Sequence, residues 1–201
     1  MSISFEKVSF SYDATAVLKE VTWHLPENGV VCLWGASGCG KTTVLRLLAG
    51  LEKPAFGEVK GIGSVSMVFQ EDRLLLWRTA LENVTVVGAD EAVARELLMT
   101  LGLTDAEIDA YPSHLSGGQQ RRVALARALA AESDILLLDE PFNGLDEGAW
   151  QDVVPLIRKA AEGRPVVLVT HIREQVQALG AVVVHLGETP QSGVWQAEDF
   201  L

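Results

Sequence analysis

One short segment of the chain has the residue types and the spacing of a phosphate-binding loop. Residues 35–42 read GASGCGKT and satisfy the pattern G-x-x-x-x-G-K-[ST]. In this pattern the glycines let backbone N–H groups converge on a phosphate, Lys41 reaches the β- and γ-phosphates, and the Thr42 hydroxyl binds Mg²⁺. Thr43 is expected to add a contact to the α-phosphate. The segment therefore predicts a site for a nucleoside triphosphate and its magnesium ion.

Two adjacent acids are a second chemical feature, because Asp139 and Glu140 close the apolar run DILLLDE. Ligands of parallel sheets gather at the carboxyl ends of the strands. Asp139 suits a contact to Mg²⁺ through water. Glu140 could act as the general base for a water that attacks the γ-phosphate. Alone, two such acids could equally be solvated, but together with the phosphate loop they favour catalysis.

His171 and Gln70 close two further apolar runs, PVVLVTH and VSMVFQ. A neutral His171 imidazole could contact the γ-phosphate and orient the water or Glu140. Gln70 could contact Mg²⁺ and the same water. From position alone, the simpler interpretation is that both residues are ordinary polar residues at strand ends.

The spacing of apolar residues predicts an α/β fold with a mainly parallel sheet. Apolar runs of strand length alternate with helical patterns, which is typical of parallel strands covered on both faces. The first residues, ISFEKVSFSYD, instead alternate apolar and polar residues, as half-buried antiparallel strands do. We expect one domain over residues 1–201, with a core at about 1–70 and 133–201 and an inserted helical subdomain at about 71–132. In the helical pattern GAWQDVVPLIRKAAEG, Pro155 is expected to kink or shorten the helix.

The composition is that of a globular protein, and its charge disfavours nucleic acid as a partner. Hydrophobic residues make up 48% of the 201 residues and charged residues 21%, and the net charge is −11. Affinity for nucleic acid depends on Lys and Arg that neutralise phosphates, so the acidic balance counts against it. No apolar run approaches the roughly 20 residues that span a bilayer. We therefore expect any membrane association to come through a partner.

The two cysteines, Cys32 and Cys39, lie too close together, in a strand and the turn after it, to suggest a disulfide framework. Without a signal peptide at MSISFEKVSF, a reducing cytosolic setting is expected. Cys39 is interpreted as a tolerated loop residue. Redox sensitivity is the alternative, because a nearby lysine favours the thiolate.

Residues 114–129, HLSGGQQRRVALARAL, contain a second possible anion site. Ser116 and the backbone amides of Gly117 and Gly118 would stand at the start of a helix. There, unpaired N–H groups and the helix dipole favour a phosphate. The residues that follow have the spacing of a helix with one buried face.

The phosphate loop, the glutamine, LSGGQ, LLLDE and the histidine occur in an order that resembles the nucleotide-binding subunit of ABC transporters, over essentially the whole chain. The resemblance implies a P-loop NTPase core of the RecA-like kind that binds ATP and Mg²⁺ and hydrolyses ATP. It assigns catalysis to Glu140, His171 and Gln70, and metal binding to Thr42, Gln70 and Asp139. It assigns nucleotide binding to Tyr12, which matches the family's adenine-stacking aromatic, and to Gly35, Ala36, Ser37, Gly38, Cys39, Gly40, Lys41, Thr42 and Thr43.

The resemblance also explains why one chain carries two anion sites. In this family two subunits pack head to tail, and each ATP lies between one P-loop and the signature motif of the other subunit. The residues offered to the partner's ATP would be Ser116, Gly117, Gly118, Gln119 and the D-loop aspartate Asp146. The partner would be a second copy or a close paralogue. Arg121 and Arg122 are expected to be salt-bridge or surface residues of the helical subdomain rather than phosphate ligands.

The implied setting is the cytoplasmic face of a membrane, where permease subunits hold the chain and an extracytoplasmic solute-binding protein delivers the solute. The segment EDRLLLWRTALENV is similar to the LLPWRT…EN pattern of importers of nitrate, sulfonates, taurine and thiamine precursors, although Leu76 replaces the proline. The D-loop reads NGLD where many relatives have Ser-Ala-Leu-Asp. The region after His171 is short, so we expect no regulatory domain like that of sugar and methionine importers.

Import is favoured over export, although the membrane partner sets the direction of transport. An ATPase that acts on ribosomes usually joins two such cassettes in one chain, and one that acts on chromosomes carries a long coiled coil. Neither feature is present in the sequence. Intact Glu140 and His171 oppose a module that only binds nucleotide.

Overall fold

The computed structural model describes residues 2–145 and 148–199. In chain order its strands are β1 (Ser4–Tyr12), β2 (Thr15–His24), β3 (Gly29–Trp34), β4 (Phe56–Lys60), β5 (Val65–Val68), β6 (Ile135–Asp139), β7 (Pro165–Val169), β8 (Val182–His185), β9 (Gln191–Trp195) and β10 (Glu198–Asp199). Its α-helices are α1 (Lys41–Leu48), α2 (Ala80–Thr85), α3 (Glu91–Thr100), α4 (Asp105–Ile108), α5 (Gly117–Ala130), α6 (Trp150–Ala161) and α7 (Arg173–Leu179). A short 3₁₀ helix covers Pro112–His114.

A six-stranded sheet in the order β10-β8-β3-β7-β6-β5 forms the centre of the molecule. Its strands pair in parallel, except that β10 is antiparallel to β8. The apolar runs explain the position of the central strands, because every residue of β6 and β7 is buried. Successive side chains point to opposite faces, so Leu136 and Leu138 pack with the helical layers while Leu137 packs with α1 and the other sheet.

A second, four-stranded sheet in the order β4-β1-β2-β9 covers one face of the first. The strand β1 pairs antiparallel with β2 and β4, as its alternating sequence predicts. Its inward residues Phe5, Val8 and Phe10 are buried together with the α1 residues Val44 and Leu45. This sheet therefore holds α1 and the loop before it against the central sheet.

Four helices, α2 to α5, lie in the chain between β5 and β6. The sequence sets their starts: Thr79 and Glu82 form a capping box at α2, and Asp90 caps α3. Asn83 in α2 is fully buried and bonds the backbone N–H and carbonyl of Leu75, at 2.8 and 3.0 Å. The helical layer is thereby tied to the chain segment that leaves β5.

Two features differ from the sequence-based expectations or were not foreseen. Helix α6 continues past Pro155 to Ala161, so the proline does not end it. Pro155 is the sixth of the twelve helical residues, and because it has no N–H, the Gln151 carbonyl lacks its usual helical donor. The strand β9 was not predicted, because the sequence QSGVW contains a glycine and lacks regular alternation; it pairs in parallel with β2. Within the described ranges, every helix is too short or too polar to span a bilayer.

Candidate functional site

The segment 35–42, called the P-loop below, joins the end of β3 to the start of α1. Gly40 lies immediately before the helix with φ 103°, and Gly38 has φ 79°, both in the region that favours glycine. A Cβ at Gly40 would lie 2.8 Å from Val17 Cγ1, whereas a Cβ at Gly38 would meet open space. The glycines therefore allow both the turn of the loop and its close contact with β2.

Lys41 is the first residue of α1, and only 6% of it is exposed. Its Nζ donates to the carbonyls of Gly35 and Ala36, at 2.8 and 2.7 Å. These bonds fold the side chain back across the loop and hold the ammonium group beside it. The charge is thus placed where the P-loop would surround a phosphate, as the sequence pattern predicts.

Asp139 and Thr42 meet next to the P-loop, where the Thr42 hydroxyl donates to Asp139 Oδ2 at 3.0 Å. Asp139 is 4% exposed at the end of β6. Burial raises the pKa of its carboxyl, against the opposing effects of the Thr42 hydrogen bond and the nearby Arg121 and Lys41 charges. A hydroxyl and a carboxylate at this distance form an oxygen-only donor set, which fits the ligand preference of Mg²⁺.

Glu140 follows at the end of the same strand, with two side chains on its carboxylate. His171 Nε2 lies 3.3 Å from Glu140 Oε1, and Asn143 Nδ2 contacts Glu140 Oε2. The backbone of Glu140 has φ 50°, a left-handed conformation that is uncommon for a residue with a side chain. Such conformations are often found at functional sites.

These groups line one cleft of about 330 Å³, located between the P-loop and the ends of β6 and β7. Of the residues predicted for the chain's own site, the cleft is lined by Tyr12, Ser37, Gly38, Gly40, Lys41, Thr42, Thr43, Gln70, Asp139, Glu140 and His171. Tyr12 is 41% exposed and packs edge-on against Phe10. Gly35, Ala36 and Cys39 belong to the loop but do not line the cleft.

A larger hollow of about 1100 Å³ lies over the four-stranded sheet, between strands β1, β2 and β4. It is open and lined by scattered charged side chains such as Lys7, Lys19 and Glu58. The smaller cleft is the better candidate for chemistry, because it gathers a loop lysine, two acids and a histidine around one space.

The signature residues 115–119 stand apart from this cleft. Ser116 caps α5, and its hydroxyl accepts from the Gln119 N–H at 3.3 Å while Gln119 Oε1 accepts from the Ser116 N–H at 2.7 Å. A Cβ at Gly118 would lie 2.5 Å from the Gly144 carbonyl oxygen, whereas one at Gly117 would meet open space. The helix start and the segment after Glu140 are therefore in close contact. Asp146 lies outside the described residues.

The structure gives no support for a reactive thiol at Cys32, the first of the two cysteines. Cys32 lies in β3, and burial raises the pKa of its thiol to about 12. Cys39 Sγ is buried and lies 3.9 Å from Lys41 Nζ.

Three residues around the site were not identified from the sequence in the roles that they have. Arg121 was expected to be a salt-bridge or surface residue; it does pair with Asp72, but it is only 4% exposed, so the surface alternative is wrong. Asn143 contacts Glu140, and Gln191 Nε2 donates to the P-loop carbonyl of Cys39 at 3.2 Å. Each contact joins distant or irregular segments, so no local pattern could have shown it.

A profile of the family described as ABC transporter matches residues 18–143, more than half of the chain. The chain belongs to the ABC transporter family. It is therefore an ATP-binding and ATP-hydrolysing subunit of an ABC transporter, as the motif order predicts.

Relatives with similar sequences are named aliphatic sulfonates import ATP-binding proteins. SsuB 1 of Rhodococcus jostii (strain RHA1) is 43% identical over 188 residues, which cover 89% of this chain and 76% of the relative. SsuB of Rhodopseudomonas palustris (strain BisA53) is 38% identical over 208 residues, which cover 92% of this chain and 70% of the relative.

Solved structures of similar fold include MJ0796, described as a bacterial ABC transporter cassette, in a dimeric structure. It matches with a TM-score of 0.84 and 30% identity, covering 98% of both chains. A second structure, described as a post-hydrolysis state of the same cassette bound to ADP and Pi, matches with a TM-score of 0.84 and 29% identity, again covering 98% of both chains. The predicted fold class is confirmed.

Proposed function

We propose that the cleft between the P-loop and the ends of β6 and β7 is the ATP hydrolysis site of a subunit that powers solute import. The observation that carries the proposal is the convergence of five side chains from distant parts of the sequence: Lys41, Thr42, Asp139, Glu140 and His171. Phosphoryl transfer to water requires a loop that surrounds phosphates, a cation, a pair of oxygen donors and a carboxylate beside an imidazole.

Lys41 and the P-loop amides would bind the β- and γ-phosphates of ATP, with Ser37, Gly38, Gly40 and Thr43 around them. Gly35, Ala36 and Cys39 would shape the loop. Tyr12, exposed at the rim of the cleft, is suited to stack on the adenine ring.

Thr42, Asp139 and Gln70 would hold Mg²⁺. These residues fit the ion because Thr42 Oγ1 and Asp139 Oδ2 lie 3.0 Å apart and Gln70 lines the same cleft. When bound, Mg²⁺ would neutralise charge on the phosphate oxygens. The ion would also favour the ionised form of Asp139, against the effect of burial on its pKa.

Glu140 would accept the proton of the attacking water. His171 Nε2 lies 3.3 Å from Glu140 Oε1, so the imidazole is placed to orient the carboxylate and to contact the γ-phosphate. Asn143 holds the other carboxylate oxygen. The two contacts leave Glu140 with few alternative orientations, which supports its role as a positioned base.

A second copy of the chain, or a close paralogue, would complete each site in a head-to-tail dimer. Ser116, Gly117, Gly118, Gln119 and Asp146 of one subunit would face the ATP held by the other. The γ-phosphate would then contact both subunits, so its loss would favour the open dimer. The dimeric MJ0796 structure supports a dimer of this fold.

Permease subunits would hold the chain at the cytoplasmic face of the membrane, and a helical subdomain at about residues 71–132 would pass the closing motion to them. A solute-binding protein would deliver the solute. Because the relatives are named for aliphatic sulfonate import, we assign the solute to the small organic sulfonates.

The test of the catalytic assignment is Glu140→Gln in the purified chain. Hydrolysis should fall by about 10²–10⁴-fold, the usual contribution of a general base, while ATP binding persists and dimers accumulate on a sizing column. Glu132→Gln is the matched control, because it makes the same change at an exposed position that does not line the cleft. Turnover like that of the unchanged protein in Glu140→Gln would remove Glu140 as the base.

The solute assignment is tested by deleting the gene and supplying sulfur either as sulfate or as an alkanesulfonate. Growth should be lost only on the sulfonate, and the gene encoding Glu140→Gln should not restore it. Normal growth of the deletion strain on the sulfonate, with sulfonate uptake unchanged, would refute this solute class while leaving the ATPase site unaffected.

A further inference from the structure

Arg121 is a buried cation that no part of the proposed hydrolysis mechanism uses. It lies in the second turn of α5 and is 4% exposed. Its guanidinium donates to backbone carbonyls and to one carboxylate, Asp72 Oδ1, at 3.2 Å. A charged side chain is rarely buried without such a set of partners, because the loss of hydration has to be offset. The location therefore requires an explanation.

The bonds of Arg121 reach two different parts of the molecule. Nη2 donates to the carbonyls of Asp139 and Glu140, at 2.6 and 2.7 Å. Nη1 donates to the Phe69 carbonyl, next to Gln70 in the segment 69–75, called the Q-loop below. The planar fork of the guanidinium thus joins the catalytic end of β6 to the loop that carries Gln70. Both are held by a residue of the helix that begins at the signature motif.

The backbone of Glu140 is fixed from both sides. Its N–H donates to the Val169 carbonyl at 3.1 Å, and its carbonyl accepts from Arg121 at 2.7 Å. Its φ of 50° is held against the ordinary preference of a non-glycine residue. Without Arg121, two adjacent carbonyls would lose a charged donor, and the peptide after Glu140 could rotate towards a commoner conformation.

We propose that Arg121 is a positioning residue for ATP hydrolysis. It holds the Glu140 backbone, and so aims the carboxylate, in fixed relation to the Q-loop and the signature helix α5. The inference rests on the proposed role of Glu140 as the base. In the dimer, a partner's ATP that moves the start of α5 would also move Arg121, and Arg121 orients Glu140 in the same chain.

Helix α5 offers a matched control in Arg127. Its guanidinium donates to Asn83 Oδ1 at 3.3 Å and to the carbonyls of Asp72 and Arg73, at 3.1 and 3.0 Å. Arg127 therefore ties the same helix to the same Q-loop, yet none of its described bonds reaches Asp139 or Glu140. A comparison of Arg121 with Arg127 separates the support of Glu140 from the support of the Q-loop.

The experiment compares Arg121→Gln, Arg121→Lys and Arg127→Gln in steady-state hydrolysis, with fluorescent nucleotide binding and thermal unfolding measured alongside. In Arg121→Gln, kcat should fall by about 10–100-fold, as displaced catalytic groups usually cause, with the KM for ATP and nucleotide affinity little changed. Arg121→Lys keeps a cation that can donate to one carbonyl pair, so its kcat should lie between those of the unchanged protein and Arg121→Gln. Arg127→Gln should lose thermal stability with a much smaller fall in kcat.

A double-variant comparison decides whether Arg121 acts through Glu140. If it does, Arg121→Gln should cause no further loss in the Glu140→Gln protein. An equal fall in kcat for Arg121→Gln and Arg127→Gln, or an unchanged kcat in folded Arg121→Gln, would overturn the inference alone. Turnover of Glu140→Gln like that of the unchanged protein would instead overturn the proposed base.

Discussion

The P-loop glycines provide a quantitative test of the geometry of the site, because three Gly→Ala changes separate backbone strain from steric contact. At Gly38 an added methyl meets open space, so the cost is that of a φ of 79° in a residue with a side chain. At Gly40, φ is 103° and the methyl would also lie 2.8 Å from Val17 Cγ1. At Gly35 the methyl would lie 2.5 Å from the Leu186 carbonyl oxygen.

The expected magnitudes follow from these contacts. A left-handed residue with a Cβ costs roughly 1–2 kcal/mol, and about 0.4–1 kcal/mol of this is offset because alanine restricts the unfolded chain. Gly38→Ala should therefore lose about 1 kcal/mol. Overpacking adds about 1–3 kcal/mol, so Gly40→Ala should lose about 2–4 kcal/mol. Gly35→Ala should lose at least as much stability as Gly38→Ala, because its new methyl group would meet a backbone carbonyl oxygen, which moves aside less easily than a side chain.

The loss is measured as the free energy of unfolding by denaturant, together with the Kd of ATP. If the loop relaxes to relieve the strain, the cost appears in Kd, where about 1.4 kcal/mol corresponds to tenfold. The sum of the two losses is therefore the quantity to compare. The change Val17→Ala, which removes the atom facing Gly40, should recover part of the loss in Gly40→Ala and none in Gly38→Ala. Equal losses in Gly38→Ala and Gly40→Ala, with no recovery, would refute the steric argument.

Three further predictions concern the metal, the dimer and a buried thiol. Thr42→Val removes the hydroxyl that faces Asp139 and should raise the Mg²⁺ concentration for half-maximal hydrolysis about tenfold or more, measured by metal titration. In a mixed dimer with Ser116→Ala in one subunit, hydrolysis should fail at the site that uses the other subunit's Lys41; nucleotide lost from the variant's own P-loop would contradict the head-to-tail arrangement. The pKa of Cys32 is raised from 9.0 to about 12 by burial, so its contribution to stability is complete below pH 9.0 and is lost as the pH rises towards 12. Cys32→Val should lose less stability than the unchanged chain over that range in alkaline denaturant titrations.

Much of the architecture could be predicted because it depends on local patterns. The strand β6 is buried on both faces, as its continuous apolar run predicts. The turn before α1 needs glycines at fixed positions, and the spacing of the motif records them. The strand β9 is different, because its pairing with β2 is decided far away in the sequence and its own residues alternate poorly.

The convergence of the site was predicted only as a rule about strand ends, and the individual contacts were not. Topology places β6 next to β7, which brings Glu140 within 3.3 Å of His171. Asn143 was noted only as part of the D-loop, and its contact with Glu140 depends on the turn after β6. Such contacts depend on the path of irregular backbone, which no periodicity encodes.

The sequence by itself determined the chemistry available to this protein: a phosphate loop, an acidic strand end and a glycine-rich helix start, each specified by neighbouring residues. The tertiary structure alone decided what Arg121 does. Nothing in QQRRVALARAL distinguishes a solvated arginine from one enclosed by carbonyls of β6 and the Q-loop. The difference arises when α5 packs against the ends of β5 and β6, because burial of a charge depends on every segment that surrounds it.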